Sequence, residues 1–263
     1  MNFKSQIFKR GLFSYAPFLL VLFGNLWIWR IFSTNILIGL TTVFSSLFLY
    51  QSVRSNKSKK LLVFFFLILL FFQYKNTRIL PLTYLNEQEK VLQLRRLNEH
   101  PPVKLSLGSK SIWIPTAYWL EKRAEILIFY RMQKNLKEVL SPNLYFFANH
   151  PNERVGIKEY EKFPYILLPF FVVGLLGLNF RRNITFGILL FATIFLLAII
   201  GSDGGAEPIS IFPFIAIASV RGLEYVWGRI SKLKSQNLRI TTVSIFILIY
   251  LLIIVQTAYY NFS

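Results

Sequence analysis

Residues 61–72 form an unbroken run of twelve apolar side chains, LLVFFFLILLFF. A helix that crosses a bilayer needs about 20 apolar residues, so a run of this length is more typical of a re-entrant or buried segment. Whether it crosses decides the topology of the chain, because six other apolar segments surround it. These lie at residues 11–29, 32–50, 163–178, 184–200, 209–227 and 240–259.

The composition of the chain indicates an integral membrane protein. Of its 263 residues, 54% are hydrophobic and 16% are charged, and the mean hydropathy is +0.47. Soluble chains carry about 25% charged residues. The absence of cysteine excludes disulfides, thiolate metal sites and a cysteine nucleophile. The two histidines lack a metal-binding spacing, so we predict no metal site.

Positive charge is the second global feature, with a formal net charge of +18. In a soluble protein such a charge would indicate nucleic-acid binding. In a membrane protein it reflects the retention of lysine and arginine on the cytoplasmic side. We therefore expect the lipid bilayer as a partner and no nucleic acid.

The distribution of these charges resolves the status of residues 61–72. If the run spans, thirteen lysine and arginine residues lie on the cytoplasmic side and Arg30 alone lies in the short outer loops. If it does not span, each side carries seven. Only the first arrangement obeys the positive-inside rule. We therefore predict seven transmembrane helices in the plasma (inner) membrane, with a cytoplasmic N-terminus and an extracytoplasmic C-terminus.

The predicted fold class is an α-helical polytopic membrane protein with a small mixed α/β extracytoplasmic segment. Three transmembrane helices are expected within residues 1–72 and four more within residues 163–263. Between them, residues 73–162 form the extracytoplasmic segment, which carries 15 lysine and arginine residues and 9 acidic residues. This mixed charge and length predict a segment with its own structure.

Three elements are predicted in that segment. Asn86 and Glu89 have the spacing of a capping box at the start of a helix. Alternating apolar and polar residues from 103 to 114 predict a β-hairpin. Residues 117–140 carry an apolar stripe with basic residues on the other faces. This pattern is typical of a helix in the outer membrane interface, and it equally fits a helix that packs on the rest of the segment.

Several stretches of the chain resemble a known family. Residues 135–147 (NLKEVLSPNLYFF), 149–154 (NHPNER) and 164–171 (PYILLPFF) resemble a segment of bacterial GT-C glycosyltransferases. The relevant members are of the protein-mannosyltransferase and aminoarabinose-transferase type. Residues 208–216 are similar to the late span of that family. The resemblance implies a sugar donor carried on polyprenyl phosphate.

The resemblance also implies where the carrier phosphate binds. The predicted phosphate-binding residues, near the outer interface, are Arg131, Lys134, Lys137, Asn143 and Arg154. The family usually has aspartate where this chain has Asn143. Its catalytic base is an acidic residue in the first outer loop, where this chain has only Arg30 and Ile31.

The remaining outer acids are the candidates for a catalytic carboxylate, namely Asp203, Glu207, Glu153 and Glu159. Sugar transfer needs a carboxylate that deprotonates the acceptor or coordinates a cation, and cationic groups beside the leaving phosphate. Asp203 and Glu207 lie four residues apart and suit a divalent cation or acid–base chemistry. A turn of Gly, Asp and Pro explains the same residues more simply.

Arg221 and Glu224 are ionisable residues within the sixth apolar segment. Such residues at membrane depth are functional candidates. They also lie three residues apart near the cytoplasmic end, where they can pair on one helix face.

These observations predict a divergent or partial GT-C-like membrane protein that lacks the catalytic acid. It would act as an accessory or split half, with a second membrane chain supplying the acid, so the isolated chain is expected to transfer no sugar. The alternative is a non-enzymatic membrane scaffold or binding protein with an extracytoplasmic domain.

Overall fold

The computed structural model describes residues 15–55, 58–147, 160–180, 183–201, 207–231 and 235–262, which are mostly helical. The N-terminal helices are α1 (Ala16–Phe23), α2 (Leu26–Thr34), α3 (Ile36–Ser55) and α4 (Lys59–Asn76). An intervening segment follows, with α5 (Glu87–Glu99), β1 (Val103–Leu107), β2 (Lys110–Ile114), α6 (Thr116–Lys122), α7 (Ala124–Leu140) and α8 (Asn143–Phe146). The C-terminal helices are α9 (Leu168–Gly177), α10 (Ile184–Ile200), α11 (Phe212–Ile230) and α12 (Gln236–Phe262).

Among the described residues, three helical stretches are long and apolar enough to cross a membrane, namely Ile36–Ser55, Ile209–Ile230 and Gln236–Gln256. Helices α1 and α2 pass the same test together, as a pair bent by 59°, which makes up to four. Two further apolar helices, Tyr165–Gly177 and Ile184–Ile200, are shorter. The chain is therefore a helical membrane protein.

The short apolar run at residues 61–72 belongs to a longer helix. Helix α4 has 18 residues, because Lys59 and Lys60 extend it at one end and Gln73 to Asn76 extend it at the other. At 1.5 Å per residue it is about 27 Å long, close to the thickness of a hydrocarbon core. Its buried side packs on α3 and on the turn before α11.

Helix α11 is the centre of the bundle. Every residue from Phe212 to Val220 is buried, and α11 contacts α1, α3 and α9. The contact with α9 is made backbone to backbone at two glycines. A Cβ added to Gly174 would lie 1.7 Å from the Ala218 carbonyl oxygen, and one added to Gly222 would lie 1.8 Å from the Phe170 carbonyl oxygen. Any side chain at either position would force the two helices apart.

The first two helices are separated by Asn25 rather than by a loop at Arg30. The Asn25 side chain accepts a hydrogen bond from the Ile28 amide at 2.9 Å, and its Nδ2 donates to carbonyl oxygens at the end of α1. Arg30 lies inside α2, and the next interruption is at Asn35. The expectation of a loop at residues 30 and 31 is therefore wrong, because asparagine caps define the helix ends here.

The intervening segment confirms two sequence predictions. Asn86 accepts a hydrogen bond from the Glu89 amide at 2.7 Å, and Glu89 accepts one from the Asn86 amide at 2.9 Å, which completes the capping box. Strands β1 and β2 pair in an antiparallel hairpin in which Val103 faces Ile114. The hairpin turns at Gly108, whose φ of +61° favours glycine.

The predicted single helix at residues 117–140 is wrong in its continuity, because the structure has two helices there. Arg123 has extended backbone angles and separates α6 from α7. Leu120 and Leu140 of the apolar stripe are exposed, whereas Arg131 on another face is buried. In a membrane protein an apolar stripe can face lipid, so its presence does not identify the packed side.

The glycine contact between α9 and α11 predicts a position-specific loss of stability. We expect Gly222→Ala to lower the free energy of unfolding by about 1–3 kcal/mol, because the added Cβ would overlap a backbone oxygen. Gly228→Ala, in the same helix, is the control, since a Cβ there meets no atom within 4 Å. Thermal unfolding of both purified variants in detergent tests this. Equal melting temperatures would contradict the packing.

Candidate functional site

Helix α7 has a polar buried face. Arg131, Asn135 and Glu138 follow one another at spacings of four and three residues, so they lie on one side of the helix. All three are buried, Glu138 to 1% of its free exposure. Polar side chains are stable in such an environment only when they are hydrogen-bonded or paired. Specific contacts, and not apolar packing alone, therefore hold this face.

Asn135 anchors α7 to the end of α10. Its Nδ2 donates a hydrogen bond to the Ala198 carbonyl oxygen at 2.9 Å. The same amide packs on Gly201, where an added Cβ would lie 3.1 Å away and φ is +71°. Both the close approach and the positive φ favour glycine. Helix α7 is therefore held at a defined position against the apolar helices.

A cavity of about 230 Å³ lies between α5, α6 and α7, and we call it the ion-pair pocket. Its lining combines two tyrosines, two carboxylates and three cationic side chains. These are Tyr84, Tyr130, Glu89, Glu121, Arg96, Arg131 and Lys134, with Leu85, Gln93 and Leu127 completing the wall. Pockets with a few convergent polar groups are the usual form of a small-ligand site.

Ion pairs between different helices organise this pocket. Lys134 Nζ on α7 lies 2.8 Å from Glu89 Oε1 on α5, and Arg96 Nε on α5 lies 3.1 Å from Glu121 Oε1 on α6. Gln93 also donates a hydrogen bond to the Glu121 carbonyl oxygen. The pairs fix the three helices around the cavity, and with Arg131 they leave one more positive than negative charge in its lining.

The environment of Glu89 favours its ionised form. Burial raises the pKa of this carboxyl group, but hydrogen bonds from Lys134 and from the Asn86 backbone oppose that effect. The positive charges of Lys134 and Arg131 lower the pKa further, and the net pKa lies below its usual value. Glu89 is therefore a carboxylate at neutral pH and remains an acceptor only.

A second polar contact surrounds Glu207, which precedes α11. Tyr160 Oη lies 2.7 and 2.9 Å from the two carboxylate oxygens, which share its one hydroxyl proton. The Arg30 guanidinium lies 4.3 Å from the centre of the Tyr160 ring, within cation–π distance. Gln73 at the end of α4 donates to the Glu207 carbonyl oxygen at 3.1 Å. Residues from four parts of the chain therefore meet at Glu207.

Lys162 is a buried cation beside this contact. It retains 1% of its exposure, its Nζ donates to the Leu144 carbonyl oxygen at 3.1 Å, and it lies 5.0 Å from the centre of the Tyr160 ring. The ring of Trp27 lies 5.9 Å from the same ammonium group. Backbone and aromatic faces thus stabilise a charge that is shielded from water.

The structure brings two of the predicted phosphate-binding residues together, since Arg131 and Lys134 line one pocket. Lys137 and Asn143 are exposed and lie outside the described lining of that pocket. Four other predicted site residues lie outside the described residues, namely Glu153, Arg154, Glu159 and Asp203. Within the described part of the chain, no group of three or more histidines and acids is placed to hold a metal ion.

Sequence reasoning did not identify Arg96, Glu121 or Tyr160. Arg96 and Glu121 belong to different helices, and Tyr160 is 47 residues from Glu207, so no local spacing connects the partners. Arg96 is exposed, like other charged residues on the outer face of a helix. Only the packing of α5 against α6 places it in a pocket.

Comparison with protein-family models, with curated proteins and with solved structures finds no match for this chain. The chemistry of the ion-pair pocket must therefore be inferred from its residues. Arginine and lysine bind phosphate oxygens, and carboxylates accept hydrogen bonds from hydroxyl groups. Tyrosine adds flat apolar faces and a hydroxyl group. This set suits a ligand that carries both a phosphate group and hydroxyl groups.

The lowered pKa of Glu89 predicts how stability changes with pH. A carboxyl group whose pKa is lower in the folded state contributes stability that is complete above its ordinary pKa of about 4.3 and is lost as the pH falls through the folded-state pKa. We therefore expect the melting temperature of the wild type to fall in acid. Glu89→Gln should be less stable at neutral pH and should show a shallower acid decrease.

Glu87→Gln is the matched control, because Glu87 lies in the same helix and its side chain is 87% exposed. Its melting curve should follow the wild-type pH dependence. Differential scanning fluorimetry across the acid range makes the comparison. If Glu89→Gln and the wild type lost stability in parallel, the Lys134–Glu89 pair would not have the assigned role.

Proposed function

We propose that this chain binds a phosphorylated, lipid-linked sugar of the polyprenyl-phosphate type and acts as the accessory or split half of a GT-C-like glycosyltransferase. The observation that carries the proposal is the ion-pair pocket, in which Arg96, Arg131 and Lys134 lie with Glu89 and Glu121. Cations for a phosphate and carboxylates for sugar hydroxyl groups are present in one cavity of about 230 Å³. A cavity of this size suits a headgroup, while a polyprenyl chain would remain in lipid.

The proposal includes a topology of seven spans with the intervening segment outside the cytoplasm. Contacts between helix ends support it. Gln73 at the end of α4 lies beside Glu207 and Ser210, which precede α11, and Asn135 lies beside the end of α10. These ends therefore lie near the intervening segment. In the proposed topology they are the extracytoplasmic ends of α4, α10 and α11.

At the other end of α10, residues from three helices also lie together. Arg54 at the end of α3, Asn183 at the start of α10 and Arg221 of α11 line one cavity. Their surroundings in the sequence are the basic loops that the positive-inside rule assigns to the cytoplasm. Two groups of helix ends, one on each side of the bilayer, are expected when α4 and α10, with 18 and 17 residues, cross the bilayer.

The topology can be tested with single cysteines, since the chain has none of its own. We expect a cysteine at Ser109, in the exposed hairpin turn, to react in intact cells with a membrane-impermeant thiol reagent. A cysteine at Ser235, before α12, should react only after the membrane is permeabilised. The reverse labelling pattern would overturn the orientation.

The state of Glu207 supports an accessory role and not independent catalysis. A general base must present a carboxylate oxygen to the acceptor hydroxyl group. Both carboxylate oxygens of Glu207 lie within hydrogen-bonding distance of Tyr160 Oη. In the ion-pair pocket, Glu89 and Glu121 are paired with Lys134 and Arg96. The proposed partner chain would supply the catalytic acid.

Exposed apolar side chains in the intervening segment favour a partner chain. Val91 and Leu94 on α5 and Ile112 and Trp113 on β2 each keep at least 50% of their exposure. Exposed apolar groups are available for contacts with protein or lipid. The same observation favours the second candidate function, a non-enzymatic membrane scaffold that binds another protein.

Binding of a polyprenyl-phosphate hexose to the full chain in nanodiscs tests the proposal. We expect Lys134→Gln and Arg96→Gln each to weaken binding about ten-fold, the loss expected for one charge-assisted contact. Arg95→Gln is the matched control, because Arg95 is the neighbour of Arg96 on α5 and pairs with Glu99 on the exposed face. The isolated chain should bind the donor without hydrolysing it.

Three outcomes would count against this function. Equal binding of the donor by all three variants would show that the ion-pair pocket does not recognise the donor. Failure of the wild type to bind the donor would favour the scaffold. Turnover by the isolated chain that is abolished by Glu207→Gln would show that the chain is an enzyme by itself.

A further inference from the structure

A second cavity of about 230 Å³ lies at the opposite end of the bundle from Glu207, and we call it the arginine cavity. It is formed where α3 and α9 end, where α10 begins and beside α11. Its polar lining consists of Arg54, Arg221, Asn179 and Asn183, and Gly177 lies at its edge. None of these residues belongs to the ion-pair pocket, so this is a separate site.

The two guanidinium groups of the arginine cavity are connected through one carboxylate. Arg221 Nη1 lies 2.9 Å from Glu224 Oε2, and Tyr50 Oη donates to Glu224 Oε1 at 2.8 Å. Arg54 Nη1 donates to Tyr50 Oη at 3.0 Å. Glu224 thus contacts Arg221 directly and is connected to Arg54 through Tyr50. It positions both arginines at the same cavity.

Arginine geometry favours a further anionic contact. A guanidinium group has five N–H donors, and the ion pair with Glu224 engages one nitrogen of Arg221 at 2.9 Å. If neutralisation of Glu224 were the whole role of this cluster, one arginine would suffice. Two arginines from different helices around a small cavity instead resemble the forked donors that bind phosphate oxygens.

The start of α10 contributes to the same electrostatic pattern. Asn183 precedes the first turn of α10, and its Nδ2 donates to the Asn179 carbonyl oxygen at 3.1 Å. The positive end of the helix dipole of this 17-residue helix therefore lies at the cavity. Carboxamide groups add neutral donors that can bind phosphate oxygens. Guanidinium groups, carboxamides and a helix start all favour an anion here.

We infer that the arginine cavity binds a phosphate group, held by Arg54 and Arg221. The phosphate can belong to the headgroup of an anionic lipid in the adjacent leaflet or to a soluble phosphorylated compound, because both present the same oxygens. In the proposed topology this cavity faces the cytoplasm, where the leaflet surface is rich in anionic lipids. The assignment itself depends on the cavity and not on the proposed function of the other site.

The test uses the full chain in nanodiscs of phosphatidylcholine. One arm adds phosphatidylglycerol to the nanodisc, and the other adds inorganic phosphate to the solution. Melting temperature reports binding in both arms, and native mass spectrometry counts retained lipid. We expect at least one probe to raise the melting temperature. Stabilisation by phosphatidylglycerol alone identifies a lipid headgroup as the source, and stabilisation by inorganic phosphate identifies a soluble compound.

Variants decide whether the arginine cavity is the site. Arg54→Gln and Arg221→Gln should each weaken about ten-fold the binding of the effective probe, that is, the probe that stabilises the wild type. Arg229→Gln is the matched control, because Arg229 is also on α11 but donates to Tyr225 Oη on an exposed surface. Gly177→Leu keeps the test decisive if the arginine variants do not fold. A Cβ at Gly177 meets no atom within 4 Å, so leucine has room and should narrow the cavity edge.

The proposal is overturned if neither probe stabilises the wild type, or if Arg229→Gln loses as much binding as Arg54→Gln. It is also overturned if folded Gly177→Leu binds the effective probe as well as the wild type does. Loss of binding in Arg54→Gln and Arg221→Gln assigns the probe to the arginine cavity, whereas loss in Lys134→Gln alone would assign it to the ion-pair pocket and overturn the proposal. A failure of the donor-binding experiment is therefore distinguishable from a failure here.

Discussion

The contact between the backbones of α9 and α11 is the constraint on which the arrangement of the bundle depends. Gly174 and Gly222 allow each helix to approach a carbonyl oxygen of the other more closely than any side chain would permit. Without a hydrophobic driving force between helices in lipid, such close van der Waals packing is a main source of association. The contact buries α11, whose start lies beside Glu207 and whose middle carries Arg221. Helix α11 therefore positions residues of both the Glu207 contact and the arginine cavity.

The small number of acidic residues determines the chemistry of the ion-pair pocket and the arginine cavity. The chain has 12 acidic residues against 30 lysines and arginines, and each described acid at the sites is held by a cation or a tyrosine. Glu89 and Glu121 are paired in the ion-pair pocket, and Glu224 organises the arginine cavity. The carboxylates thus position cations, and more cationic than acidic side chains line each cavity. This balance favours anionic ligands at both ends of the bundle.

The buried polar face of α7 connects the intervening segment to the bundle. Burial of an apolar face would have cost less free energy, because each polar group must regain in the protein the hydrogen bonds that it loses in water. Asn135 does so at the end of α10, and Arg131 belongs both to this buried face and to the ion-pair pocket. A ligand in that pocket would therefore contact a helix that is fixed to the membrane helices, which suits a site for a lipid-linked substrate.

The sequence by itself determined the features that depend on neighbours along the chain. The capping box of Asn86 and Glu89 and the hairpin at residues 103–114 follow from such spacings, and apolar composition identified a helical membrane protein. Seven spans and the resemblance to GT-C glycosyltransferases stay predictions. Tertiary structure alone decided which face of α7 is buried and which distant residues, such as Tyr160 and Glu207, meet. The physical reason is that apolar side chains can face either lipid or the protein interior. The spacing of apolar residues along a helix therefore does not identify the side that packs on the protein.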